Sequence, residues 1–302
     1  MTIDWTNLPI SVGGELLGKW LEMQDVVVHF DTACVGYDSR KTFLQYCSDT
    51  TYSCEIIVKS SSQMNWIAQR GFSLVDIDFT DLAWSDRKQW RTTLHALRKI
   101  LSAKKMKMKR IKIGCFPNVK LAAQFVTIVV KYCQNILYIE MTFDVDDTAA
   151  TVLFNSLERI ESIVIHNCDD FTRNSFRFLK SKCAELRELD LCCLPSFTDD
   201  ALLAISRSCL NLRVLNVSTC QMIGYKGVIA MLRSCPLLEE VQLSNMPAAV
   251  TAAAVKVLAA EQHCTPAEST HYRQAEHQKA VGYRSEVLAL ISAARHRLCG
   301  LG

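Results

Sequence analysis

The chain has 302 residues, the length of two average domains or of one barrel or solenoid, and a folded chain of that size buries roughly 75% of its unfolded surface. Hydrophobic residues at 49% and charged residues at 22% are a globular composition and exclude general disorder. Lys+Arg 34 against Asp+Glu 31 leaves a net charge of +3, too balanced for a protein whose affinity rests on counterion release from nucleic acid. No apolar run reaches the roughly 18 residues of a membrane span. Met1-Thr2-Ile3-Asp4-Trp5 lacks the basic and apolar regions of a secretory signal. The 14 Cys are spread along the chain without a CxxC pair, so reduced thiols in the cytoplasm or nucleus are the expectation.

Residues 5–45 are predicted to form helix, turn and helix. Pro9 opens the first, since its missing N–H costs nothing at the first helical position, and Val12, Leu16 and Leu17 follow near one face. Asp25 is a start signal for a second helix carrying Val26, Val27 and Phe30. Gly13-Gly-Glu-Leu-Leu-Gly18-Lys19 has the spacing of a phosphate-cradling loop. Trp20 nevertheless stands where that loop needs Ser or Thr, and no strand precedes it. Residues 49–71 read as a connection or a degenerate first repeat.

Beyond that point the chain repeats. Cys209 opens Cys-Leu-Asn-Leu-Arg-Val-Leu-Asn-Val-Ser-Thr-Cys; Cys183 opens Cys-Ala-Glu-Leu-Arg-Glu-Leu-Asp-Leu-Cys-Cys; Cys235 opens Cys-Pro-Leu-Leu-Glu-Glu-Val-Gln-Leu-Ser-Asn. Fainter copies run through Leu74, Ile77 and Phe79, then Met108, Ile111 and Ile113, then Cys133, Ile136, Ile139 and Met141, then Leu157, Ile160, Ile163 and Ile165. The central apolar residues fall at 77, 111, 139, 163, 189, 215 and 241, spaced 34, 28, 24, 26, 26 and 26. Each copy alternates as a half-buried strand does, with Leu189 and Leu191 inward and Glu188 and Asp190 outward. Between strands lie helical spacings: the stretch Asp86 to Leu101 after Ser85, Phe176 and Leu179 after Thr172, and residues 199–206 after Thr198, with Asp199 and Asp200 in the first turn.

The unit L-x-x-L-x-L-x-x-C, alternating with helices, resembles the cysteine-containing leucine-rich repeats common in F-box proteins. This implies an α/β fold, a leucine-rich-repeat solenoid of about seven repeats over residues 72–262. Cys133, Cys183, Cys209 and Cys235 share one repeat position and Cys168 and Cys220 another, as small buried hydrophobes would. Adjacent Cys192-Cys193 read as packing rather than a redox pair. The first 48 residues, with Leu8-Pro9 and then Leu21-Glu-Met-Gln-Asp25-Val26, resemble the F-box itself. That resemblance implies docking on the Skp-type adaptor of a cullin–RING ubiquitin ligase through Leu8, Pro9, Val12, Leu16, Leu17, Leu21, Asp25 and Val26. It also implies that the repeats present a protein substrate. The chain departs from the pattern at Gly13-Gly14, where apolar helix formers are usual and each Gly costs about 1 kcal/mol. Ala33-Cys34, with Arg40 further on, replaces the family's terminal Val-Cys-x-x-Trp. A helical cap sealing the first repeat is the alternative reading of this segment.

No nucleophile elbow, zinc-protease or dinucleotide signature occurs, so the expectation is a binding protein with no enzymatic activity, cofactor or metal; a scaffold with no ubiquitin role is the alternative. Lys104 to Arg110 is the one dense basic run, either an anionic-partner or nuclear-localisation patch or a solvated edge. His263, Cys264, His271 and His277 lack zinc-motif spacing. Residues 263–302 read as a helical or flexible tail. If strands line a concave face, its outward positions are Asp76, Asp78, Arg110, Lys112, Tyr138, Glu140, Ser162, His166, Glu188, Asp190, Asn216, Ser218, Gln242 and Ser244. They form a chequered charge pattern suited to a protein partner, with no aromatic ladder for single-stranded nucleic acid.

Overall fold

The computed structural model describes residues 36–261, apart from residues 50, 53–54, 83–86, 103–106, 115, 117, 143–146 and 169–182. Leu8, Pro9, Val12, Leu16, Leu17, Leu21, Asp25 and Val26 lie outside the described residues, as do the Gly13–Lys19 stretch, the caps at Ser85 and Thr172, and the tail histidines. The chain falls into two compact units, residues 1–140 and 141–302. Among the described residues no helix is long and apolar enough to cross a membrane.

The first unit holds α1 (Tyr37–Asp49), β1 (Thr51–Tyr52), β2 (Ile56–Ile57), α2 (Ser61–Arg70), β3 (Ser73–Leu74), β4 (Asp76–Phe79), α3 (Arg87–Leu101), β5 (Arg110–Ile113) and α4 (Val119–Tyr132); the division falls within β6 (Tyr138–Met141). The second holds α5 (Asp147–Ser156), β7 (Ser162–Ile165), β8 (Glu188–Asp190), α6 (Asp199–Ser206), β9 (Val214–Asn216), α7 (Tyr225–Ser234), β10 (Glu240–Gln242) and α8 (Ala248–Glu261). Strand order in the eight-stranded sheet is β10-β9-β8-β7-β6-β5-β4-β2, with β1 and β3 forming a separate parallel pair.

The apolar residues that mark each repeat in the sequence face one another. Ile56 pairs with Ile77 and Ile77 with Ile111 in the first unit, and Ile163 with Leu189, Leu189 with Leu215 and Leu215 with Val241 in the second, all parallel. These residues are buried, and a register slip of one residue would turn them to solvent. The pairing carries on past the strands: Leu191 N–H donates to Asn216 O, Cys193 to Ser218 O, and Thr219 to Ser244 O.

Each strand of the second unit leads into a turn that needs one left-handed residue. Asn167, Cys193, Thr219 and Asn245 take φ of 55, 61, 63 and 56°, a recurrence of 26 residues. Asn adopts this conformation readily, but β-branched Thr219 stores strain of about 1–3 kcal/mol. Its N–H bond to Ser244 O, at 2.9 Å, helps hold it there. Where Asp or Asn stands at or next to the end of a strand, the side chain turns back on the chain two residues on. Asp78 accepts from Thr80 N–H, Asp190 from Cys192 N–H and Asn216 from Ser218 N–H, the Asx-turn chemistry that makes these residues turn formers.

Helix ends follow local rules in the first unit and longer-range ones in the second. Ser60 caps α2 by accepting from Gln63 N–H, and Gln63 reaches back to accept from Lys59 N–H, a capping-box arrangement shifted by one residue. Asn118 caps α4 through Leu121 N–H. Thr198 sits at the N-cap of α6 in extended conformation, yet its side chain makes no cap bond. Asp199 instead spends one oxygen on the next repeat: Gly224 and Gly227 N–H both donate to its Oδ1, at 2.8 and 3.1 Å. A Cβ on Gly227 would stand 2.5 Å from that oxygen, which is why this first turn of α7 carries no side chain there.

Candidate interaction surface

At the repeat marks the apolar residue is buried, while on β4, β5, β6, β8, β9 and β10 its flanking residues are mostly polar, so each unit carries a largely polar strand face. In the first unit this surface is an ion-pair network. Arg110 Nε lies 3.0 Å from Asp76 Oδ2, and Lys112 Nζ lies 2.7 Å from Glu55 Oε1 and 3.9 Å from Asp78 Oδ2. The Arg110 guanidinium stacks on the Tyr138 ring, 4.1 Å from its centre, and Tyr138 Oη donates to Glu140 at 2.7 Å. Asp76 Oδ1 is buried without a hydrogen-bond partner among the described residues. Burial lifts this carboxyl above its ordinary range even though Arg110 pulls it down. Lys112 is held protonated to higher pH, chiefly by its hydrogen bond to Glu55.

The second unit is built differently. His166 Nε2 lies 2.9 Å from Asp190 Oδ1, Asn216 Nδ2 donates to Asp190 Oδ2 at 3.0 Å, and Ser162 Oγ donates to Glu188 Oε2 at 2.6 Å. Gln242 Nε2 donates to Glu240. Burial opposes the Asp190 charge, but the bonds from His166, Asn216 and the Cys192 N–H outweigh it and leave the carboxyl below its ordinary range. Sequence reasoning treats Asp190 as a spare outward charge. The structure stitches it to the strands on either side, so its removal also costs stability.

The structure thus brings the outward residues together in two clusters: Asp76, Asp78, Arg110, Lys112, Tyr138 and Glu140 in the first unit, and His166, Glu188, Asp190 and Asn216 with Gln242 beside Glu240 in the second. Glu55, Val214 and Glu240 belong to this surface and were missed by the sequence reading. Glu240 was recoverable from the 26-residue spacing from Val214, whereas Glu55 precedes a strand too short to recognise.

Among the described residues, Cys47, Cys133, Cys168, Cys192, Cys193, Cys209, Cys220 and Cys235 are not joined in disulfides, and most are buried. Cys235 Sγ donates to Cys209 O at 3.4 Å and Cys220 Sγ to Leu191 O at 3.0 Å, so two of the shared cysteine positions tie one turn to the turn before it. Burial pushes the Cys133 thiol up to about 12 and those of Cys220 and Cys235 to about 11. Cys192 and Cys193 hold their sulfurs 3.3 Å apart. Burial first, and the neighbouring thiol second, raise Cys192 to about 12, the opposite of the lowered value a reactive thiol requires.

A repeating strand–helix unit, a parallel eight-stranded sheet and a polar strand face define an α/β repeat protein. No family model and no curated protein matches the chain. Among the solved structures that match is a chain from the crystal structure of the Rad7 and Elc1 complex in yeast, with a TM-score of 0.53 and 11% sequence identity over 72% of this chain and 57% of that one. The chain therefore spans little more than half the length of that neighbour, and the likeness is one of fold.

Proposed function

We propose that this chain is the substrate-recognition subunit of an SCF-type cullin–RING ubiquitin ligase. In this reading a leucine-rich-repeat solenoid presents a protein substrate, and residues 1–48 act as an F-box-like domain docking the Skp-type adaptor. The observation that carries the binding half is the strand face. In the second unit that face carries residues such as Asp190 and Asn216 whose side chains are held in place by their neighbours, and fixed side chains lose less entropy on binding. The adaptor half rests on Leu8-Pro9 and Leu21 to Val26. The fold neighbour was itself crystallised as a complex of two proteins, which supports a role in assembly.

The test is capture of purified Skp-type adaptor by the full chain. Retention at micromolar concentration, lost on Pro9→Ala or Val26→Asp, supports the reading. Failure of the unaltered chain to retain the adaptor leaves a repeat scaffold with no ubiquitin role.

A further inference from the structure

Two outward carboxylates of the second unit, Glu188 and Glu240, have a different setting from the ion-paired ones of the first. In the first unit Asp76, Asp78 and Glu55 are each matched by Arg110 or Lys112. In the second unit, among the described residues, Glu188 and Glu240 receive neutral donors, Ser162 Oγ and Gln242 Nε2. A hydroxyl or an amide fixes a carboxylate in position and leaves its charge in place. Val214 is the Cα partner of both Glu188 and Glu240, so it stands between them in one row across three strands. Neighbouring strands are about 4.8 Å apart, which sets the two acidic positions roughly 10 Å from each other. Val214 is half-buried and in the following row Asp190 and Asn216 are bonded to each other. The arrangement is an aliphatic floor with a carboxylate on each side, in a chain whose net charge is +3.

We infer that this row is the docking point for a cationic segment of the partner protein, an Arg or Lys whose aliphatic stem lies on Val214 and whose head lies between Glu188 and Glu240. Long cationic side chains bury their stems on apolar surface and keep their charged ends at polar groups. The inference rests on the strand face being the substrate-binding surface, and it names the chemistry that the face selects. Arg110 and Lys112, already engaged within their own unit, take no part.

The test uses the full chain and two unstructured probe peptides, one carrying three arginines spaced by serines and one carrying three glutamates in their place, with binding read by fluorescence anisotropy at physiological salt. The arginine peptide is expected to bind and the glutamate peptide to bind more weakly or not at all. Glu188→Gln and Glu240→Gln should each weaken binding about threefold to fivefold, the range of an exposed ion pair. Val214→Lys, which fills the row with the chain's own cation, should weaken it by about tenfold or more through like-charge repulsion, with an unchanged circular dichroism melt showing that the fold survives. Arg233→Glu, an exposed position on α7 away from the strands, should leave the affinity unchanged. Equal binding of both peptides, or unaltered binding by Val214→Lys, overturns the inference, as does an equal loss on Arg233→Glu. No ligase component enters this assay, so a failed adaptor capture and a failed cationic row are separate results.

Discussion

Asp199 supplies the sharpest test of how one repeat holds the next. The N-cap position of α7 is Gly224, which makes no side-chain cap; the cap comes from the preceding repeat, where Asp199 Oδ1 accepts from Gly224 and Gly227 N–H. Asp199→Ala removes a cap worth about 1 kcal/mol and a helix-dipole contribution of about 0.3–1 kcal/mol. It also leaves the buried Gly227 N–H without this acceptor, at a cost of about 1–3 kcal/mol. These effects overlap, so the expected loss is about 2–3 kcal/mol, or roughly 4–10 °C in melting temperature for a chain of this size class. A companion substitution separates capping from general damage. A Cβ on Gly224 would lie 2.8 Å from Asp199 Oδ2, so Gly224→Ser destabilises the unaltered chain. Once Asp199 is Ala that oxygen is gone, and the serine hydroxyl can cap α7 itself. Gly224→Ser should therefore change sign between the two backgrounds, giving a coupling of about 1–2 kcal/mol in urea denaturation. A loss under about 0.5 kcal/mol for Asp199→Ala, or strict additivity of the pair, would refute the inter-repeat cap.

Gly114→Ala should be among the most damaging small substitutions in the first unit. Its Cβ would stand 2.4 Å from Thr80 O and 2.6 Å from Thr80 Cα, a backbone clash expected to cost about 1–3 kcal/mol or more; a melting temperature equal to that of the unaltered chain would contradict it. Cys133, Cys220 and Cys235 should resist alkylation in the native protein at neutral pH and react on unfolding, because burial raises the three thiols to about 12, 11 and 11; native-state labelling at free-thiol rates would contradict this. Asp190 titrates below its ordinary 3.8 because the bonds from His166 and Asn216 overcome burial. Its charged form therefore stabilises the fold above about that pH, and the contribution disappears as pH falls through the lower native value. The stability deficit of Asp190→Asn should accordingly be largest at neutral pH and shrink in acid, and a deficit independent of pH would be inconsistent with that linkage.

What could be read in the sequence was whatever the repeat writes into residue type. Ile77, Ile111, Ile163, Leu189, Leu215 and Val241 announce the register because an inward strand position accepts little else, and the structure pairs them as the spacing implies. The shared cysteine positions were legible for the same reason. The strand β2 was not, since two residues carry no alternation to recognise, yet Ile56 pairs with Ile77 and extends the sheet by one strand. The left-handed turn is announced by Asn167 and Asn245 but hidden at Cys193 and Thr219, residue types with no preference for that conformation. Asp199 reads as a helix-dipole residue of its own helix; that its carboxylate caps a helix 25 residues later depends on how the repeats stack, which no local pattern encodes. The strand face was legible as a set of positions. Its division into a neutralised cluster around Arg110 and a row of un-neutralised carboxylates around Val214 depended on which donors reach which oxygens.

The most direct measurement of the central proposal is the mass, by light scattering after size exclusion, of the full chain mixed with purified Skp-type adaptor and its cullin. A single species of one copy each, dissociated by Pro9→Ala with the repeats still folded, is the predicted result. Separate elution of the chain at its own mass of 34.0 kDa would contradict it.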